Sequence, residues 1–207
     1  MSEAPDVIIP IVFPDYKILV EVQGSRVDLV PWTRFDDFTI PSYREAWSDL
    51  GHAGVLLIRG SDGFTRYFEY GRYDRVGYVR SFPVPNAKIE EGTIAHLSLP
   101  KILNVISRRA GKSTRIQAAM VEEVGLFEKA SRHAQNRLAQ RLDPNRRPYN
   151  ILSHNCITFV QSVLKAAGAD TPWMFDPRPV SYIEELRDDL PDLDYSIASG
   201  MQIEGTL

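Results

Sequence analysis

A lone cysteine, Cys156, opens a run that reads as an amphipathic helix. Phe159, Val160, Val163, Leu164 and Ala167 recur at i, i+1, i+4, i+5 and i+8, the spacing of one buried stripe. Cys156 stands three and four residues before Phe159 and Val160, so it points to the same side at the helix entrance. There the unpaired backbone N–H groups and the positive end of the helix dipole favour a thiolate. A thiolate is a nucleophile and can form a covalent acyl intermediate. The same placement also suits a small core cysteine, the commoner fate of this residue type.

A nucleophile of this kind needs a base. His52 lies in Gly51-His52-Ala53-Gly54, at the start of a strand-like run. Its small neighbours allow a close approach of backbone or substrate. An imidazole beside a thiol takes its proton and later delivers it to the leaving group. The alternative is a strand-end histidine satisfied by a backbone carbonyl. A third group should orient the imidazole through its other ring nitrogen. Glu69 is the first candidate, because its strand should pair with the His52 strand and share a face with it. Glu21, Asp74 and Asn150 are rivals, and a surface carboxylate paired with Arg66 or Arg72 is the plainer reading of Glu69.

Substrate-lining candidates surround these three. His154 is too close to Cys156 along a tight turn to act easily as its base, and suits loop stabilisation or substrate contact. Asn155 is a strong N-cap residue, which leaves the Cys156 N–H as an oxyanion donor. Tyr70 follows Glu69 directly. Trp173 and Arg178 belong to a proline- and aromatic-rich segment, TPWMFDPRPVSY. That segment is either pinned on the core or forms a cleft wall, with Arg178 available to a carboxylate. His96 and His133 read as surface or packing residues. No His, Cys and carboxylate spacing suits a metal, and no glycine-rich pattern suits a phosphate, so no cofactor is expected.

The elements that must position these groups fall into two halves. Strand-like runs occupy 16–22, 26–30, 53–58, 65–70 and 78–84, with a hairpin turn at Gln23-Gly24-Ser25. Residues 42–50 read as a short helix or a lid-like loop. The last three runs read as an antiparallel meander. Helical patterns follow over 100–109, 127–142, 156–167 and 181–188, while 115–124 is ambiguous and the tail after Asp194 reads as loosely held. The expected class is α+β: an antiparallel sheet against helices, the nucleophile opening a late helix, in one domain over 1–207.

The chain has 207 residues, a net charge of −3 and ordinary globular composition, with 43% hydrophobic and 25% charged residues. A nucleic-acid binder needs a concentrated positive face, and only Arg146-Arg147 and Arg108-Arg109 hint at one, so that class is set aside. One cysteine excludes an intrachain disulfide. No apolar run nears the roughly 20 residues of a membrane span. The N-terminus has no basic region, and prolines at 10 and 14 break its apolar stretch, so it does not read as a secretory signal. The expectation is synthesis in the cytoplasm and, if the protein acts outside, export by another route.

Together, GHAGVLL, YFEYGRY, the Asn-Cys helix ITFVQSVL and WMFDPRPVSYI resemble a circularly permuted NlpC-type papain-like cysteine hydrolase. Ordinary members carry Cys before His; here His52 comes first, as in permuted relatives of the lecithin–retinol acyltransferase type. More narrowly, the motifs are similar to the TseH-like group of type VI secretion cell-wall-degrading effectors. They span 52–183, and the first 40 residues, a possible N-terminal extension, carry none of them. The resemblance implies Cys156 as nucleophile, His52 as base and Glu69 as third residue. It implies a peptidoglycan amidase or endopeptidase acting in a target cell's periplasm, with a cognate immunity protein and possible docking to a secretion carrier. Two other readings stay open: an acyltransferase, thioesterase or lipase using the same thiolate on an ester, and a binding module without chemistry.

Overall fold

The computed structural model describes residues 4–22, 26–27, 38–39, 43–47, 51–150, 153–171 and 178–205. Its centre is strand β1 (Asp6–Phe13), buried at all eight positions. Residues 6–13 fall within the stretch expected to be an extension, and they are the middle of the sheet instead. Their sequence, DVIIPIVF, is continuously apolar because both faces are covered, so it lacks the alternation that marks a half-exposed strand. Fully burying each such aliphatic side chain contributes about 1.5–3 kcal/mol.

Around it run β2 (His52–Ile58), β3 (Thr65–Gly71), β4 (Tyr78–Phe82), β5 (Ile116–Ala119), β6 (Val121–Glu123), β7 (Asp192–Ser196) and β8 (Gly200–Glu204). The order is β8-β7-β5-β1-β2-β3-β4, with β6 also on β1, and every pairing is antiparallel. Pro10 sits mid-strand although it has no N–H to donate. Its ladder with β2 runs through unbroken, Pro10 opposite Val55. The break falls on the other edge, between β5 and β6 at Met120, whose N–H turns away to Pro191 O at 3.0 Å.

Helix α1 (Leu99–Arg109) covers one face, packing Ile102, Leu103 and Ile106 on Ile9, Ile11, Phe13, Leu56 and Tyr67. Helices α2 (Leu126–Ala139), α3 (Cys156–Ala167) and α4 (Pro179–Arg187) cover the other, around Ile8, Val12, Val55, Leu57, Phe68 and Tyr70. The expected meander is β2-β3-β4, and the three expected helices over 100–109, 127–142 and 156–167 lie within three residues of α1, α2 and α3 at either end.

Four expectations change. Residues Tyr43–Trp47 form a strand, not a helix or loop, because they supply the partner for Ile18–Val22. The Arg26–Val27 strand pairs with Phe38–Thr39, so the ladders are nested and Ile18–Val22 does not hairpin with Arg26–Val27; the turn at 23–25 lies outside the described residues. The tail is not loose: β7 and β8 form an edge hairpin, with Leu193 and Tyr195 buried under α1. Helix α4 starts earlier than Ser181, at Pro179, whose fixed φ suits the first helical turn.

Asp6 ties these layers together. Its carboxylate is buried and accepts the Gly60 N–H at 2.8 Å and the Phe127 N–H at 2.9 Å. The second bond caps α2, whose own N-cap, Gly125, has no side chain to do so. Asp6→Ala leaves both N–H groups buried and unpaired. It should lower unfolding free energy by about 2–4 kcal/mol, read as a fall in denaturant midpoint at unchanged slope.

Candidate active site

Asn155 opens α3 in extended conformation, accepts the Thr158 N–H at 2.9 Å, and donates its own N–H to Thr158 Oγ1 at 2.9 Å. This reciprocal cap leaves Cys156 as the first helical residue, 2% exposed, with its N–H outside the helix ladder. The loop before it is closed by Asn150 and His154, which exchange two backbone hydrogen bonds of 2.9 Å.

Tyr149 precedes that loop. Its phenol hydrogen-bonds the Cys156 side chain and accepts the Cys156 backbone N–H. Its backbone N–H is anchored on Val76 O at 2.6 Å. Burial first, then the charge and hydrogen bond of Cys156, push the phenol above its usual range, so it stays protonated.

His52 is the first residue of β2, 6% exposed, facing Phe13 and Tyr16 with ring centroids at 6.1 and 5.2 Å. Its Nε2 lies 2.8 Å from Glu69 Oε2. The imidazole also hydrogen-bonds Cys156, which leaves Nδ1 as the nitrogen for the sulfur. Burial opposes charge on this ring, but the hydrogen bonds and negative charge of Cys156 and Glu69 outweigh it. The His52 pKa is raised from 6.5 to about 10, so the imidazolium persists at neutral pH.

Glu69 is 0% exposed on β3. A carboxylate so buried needs partners, and several surround it. Oε2 accepts from His52 and, at 3.1 Å, from the Tyr67 phenol. Oε1 takes the Arg80 guanidinium from the directly opposite position on β4. Burial alone would raise the Glu69 pKa; the His52 and Arg80 charges and hydrogen bonds win and lower it. Two glycines make room for the tyrosines that close the group. A Cβ on Gly54 would lie 2.1 Å from the Tyr67 hydroxyl, and one on Gly71 would lie 2.6 Å from the Tyr73 ring. The Tyr73 hydroxyl stands 3.3 Å from His52 Nε2, and the Arg80 guanidinium lies 4.0 Å above the Tyr73 ring.

These groups sit on a mixed sheet-and-helix scaffold, and that scaffold has known relatives. The family model for type VI secretion system effectors of the TseH-like kind matches residues 8–172. The chain belongs to that family. A crystal structure of the type VI secretion system effector TseH is similar over nearly the whole length. The identity is 33% and the TM-score 0.78, with 99% of this chain and 100% of that one covered. No curated protein sequence matches. Membership of this effector family implies secretion, and no helix among the described residues is long and apolar enough to cross a membrane.

Within this effector-family chain, Cys156, His52 and Glu69 come together from α3, β2 and β3. Asn155 is spent on the helix cap. His154 and Tyr70 lie beside each other, ring centroids 5.1 Å apart, next to Tyr149 rather than on the sulfur. Arg178 is exposed at the start of α4, beside a surface cavity that also touches Asp15, Lys17 and Arg115. Trp173 lies outside the described residues. Of the rivals for the third position, Asp74 pairs with Arg146 at 2.6 Å and Asn150 closes the loop; the Glu21 side chain lies outside the described residues. No group of three His, Cys, Asp or Glu among the described residues could hold a metal.

Tyr67, Tyr73, Arg80 and Tyr149 were not anticipated. Tyr67 was within reach, since YFEYGRY puts it on the Glu69 face by simple alternation. Arg80 follows from the β3–β4 register only once the turn length is known.

The raised His52 pKa gives a direct check. In Glu69→Gln the negative partner is gone and the charged imidazole loses support. The His52 titration midpoint, followed by NMR of the ring protons, should fall from about 10 toward the ordinary 6.5. A midpoint unmoved by the substitution would mean that Glu69 does not govern the ring.

Proposed function

We propose that this chain is a cysteine hydrolase that cleaves an amide bond in the stem peptides of peptidoglycan, on a permuted NlpC-type papain-like fold. The observation that carries the reading is the buried hydrogen-bonded series Cys156–His52–Glu69, with the sulfur at a helix N-terminus. A structural cysteine needs no imidazolium beside it, and a structural histidine needs no buried carboxylate behind it.

In this mechanism the Cys156 sulfur attacks the amide carbonyl carbon, and the carbonyl π electrons move to oxygen. That oxyanion takes the place the Tyr149 oxygen now holds on the Cys156 N–H. The neutral Tyr149 phenol, turned toward it, is a second donor. His52 Nδ1–H gives its proton to the amide nitrogen, the C–N bond breaks, and the amine leaves. A water then loses a proton to Nδ1 and attacks the thioester. Collapse releases the carboxylic acid and restores the thiolate and imidazolium. Glu69 fixes the ring and balances its charge at every stage, and Tyr67 and Arg80 hold Glu69.

The family supports delivery by a type VI apparatus, and the proposed substrate would place the action in the target cell's periplasm. A producer of such an enzyme would hold an immunity protein that covers the site, and the enzyme would reach the apparatus by docking to a secretion carrier.

Mass spectrometry of purified Gram-negative peptidoglycan is the test. Wild-type protein should release new muropeptides whose masses name the bond cut. Cys156→Ala and His52→Ala should release none, a loss of roughly 10³-fold or more. Tyr149→Phe should retain the same products with kcat lowered roughly 10²-fold, the usual cost of one oxyanion donor. Intact peptidoglycan with wild-type protein whose Cys156 still alkylates readily would overturn the substrate. It would favour an ester or thioester instead.

A further inference from the structure

Behind the nucleophile lies a cavity of about 130 Å³ with an unusual lining. Arg137, Arg141, Arg146 and Arg147 border it, together with Tyr70 and His154, and no Asp or Glu does among the described residues. Among the described residues Arg146 alone of the four forms a salt bridge, to Asp74 at 2.6 Å. Arg141 lies 4.2 Å above the Tyr78 ring, and Arg147 reaches only Ser153 Oγ, at 3.5 Å. Arg137 leans on the Tyr70 and Phe159 rings and approaches His154 Nε2 at 3.4 Å.

Two polar groups here are left without partners. The Tyr70 hydroxyl is buried on a residue 2% exposed, Arg137 Nε is buried too, and neither makes a hydrogen bond among the described residues. Each unmade bond destabilises the site, and a cluster of like charges adds to that. Both groups are donors. What completes them is an acceptor, and what balances the surrounding cations is negative charge.

We propose that this cavity is an oxyanion-binding site and that it receives a carboxylate of the peptide being cut. The volume is several times a water's share of the liquid, about 30 Å³, so it admits a carboxylate and its carbon. Arginine forks suit a planar carboxylate in two-point contact. Burial and the charges of Arg137 and Arg147 hold His154 neutral, with its pKa lowered to about 4, so at neutral pH it can donate one ring N–H without adding charge. The site is also close to the chemistry. The Tyr149 ring lies against Tyr70, centroids 5.3 Å apart, and its phenol bonds Cys156; His154 stands two residues before the sulfur. A carboxylate held here fixes one end of a peptide whose neighbouring amide lies over Cys156.

The inference rests on the amidase reading only for the source of the carboxylate, so its test needs no turnover. The probe is N-acetyl-D-alanyl-D-alanine, titrated calorimetrically into Cys156→Ala protein, beside its C-terminal amide and inorganic phosphate. The acid should bind and the amide should not. The double substitution Arg141→Gln with Arg147→Gln, at two exposed positions, should leave the fold intact by circular dichroism and weaken acid binding about 10-fold or more. The His154 NMR titration midpoint should rise when the acid is present, because bound negative charge offsets the arginines. No binding of the acid, equal binding of the amide, or binding unchanged by the double substitution would overturn the site. Phosphate bound more tightly than the acid would overturn the carboxylate. If the acid binds while peptidoglycan stays uncut by wild-type protein, the site stands and the amidase reading falls.

Discussion

A fully buried carboxylate governs this end of the molecule. Glu69 has no access to water, and an ion in that position costs several kcal/mol unless its lone pairs are filled. His52, Tyr67 and Arg80 fill them, and each brings its own requirement. Tyr67 needs the missing side chain at Gly54, on the neighbouring strand. Arg80 needs the β3–β4 register that sets it opposite Glu69. His52 needs the β2–β3 register that sets Gly54, two residues on, opposite Glu69. A slip of one residue in either ladder would turn a partner to the other face and leave the charge alone. The strand register and the charge balance therefore hold each other.

The sheet separates the reacting groups until its end. Tyr67 packs on the α1 face, and Glu69 shares that face by alternation; Cys156 belongs to the opposite cluster, with α2, α3 and α4. They meet because His52 is the first residue of its strand and Cys156 the first of its helix. Elements that end at the same edge can bring side chains around it without breaking either core. The sulfur thus sits on a rigid helix capped from within by Asn155 and Thr158. The base sits on a strand paired on both sides.

Much of this was legible in the sequence, for reasons that differ by element. The β2–β3–β4 meander and α1, α2 and α3 carry clean periodicity and clear stops at Gly, Pro or Asp. The placing of Glu69 on the strand beside His52 followed from the meander alone. The central strand was not legible: burial on both faces removes alternation, and Pro10 argues against a strand unless the break at Met120 is known. Residues Tyr43–Trp47 and the β7–β8 hairpin depend on distant partners that no local pattern names. Arg80 was hidden in the same way, by a register set through the β3–β4 turn. Tyr149 was hidden because its role comes from a loop closed by Asn150 and His154.

The two histidines near the sulfur show why local spacing misleads about charge. His154 is nearer in sequence, yet the arginines around it and its burial hold it neutral. His52 is about a hundred positions away, yet Glu69 and Cys156 hold it charged. Their linkage to folding has opposite sign. The stability His52 contributes is complete below pH 6.5, the unfolded value, and is lost as pH rises through about 10. That of neutral His154 is complete above 6.5 and is lost as pH falls toward about 4. Near neutrality the fold therefore keeps a positive ring at the sulfur and a neutral one among the arginines. Proton transfer belongs to the first ring. The second can serve a bound anion without competing for the proton.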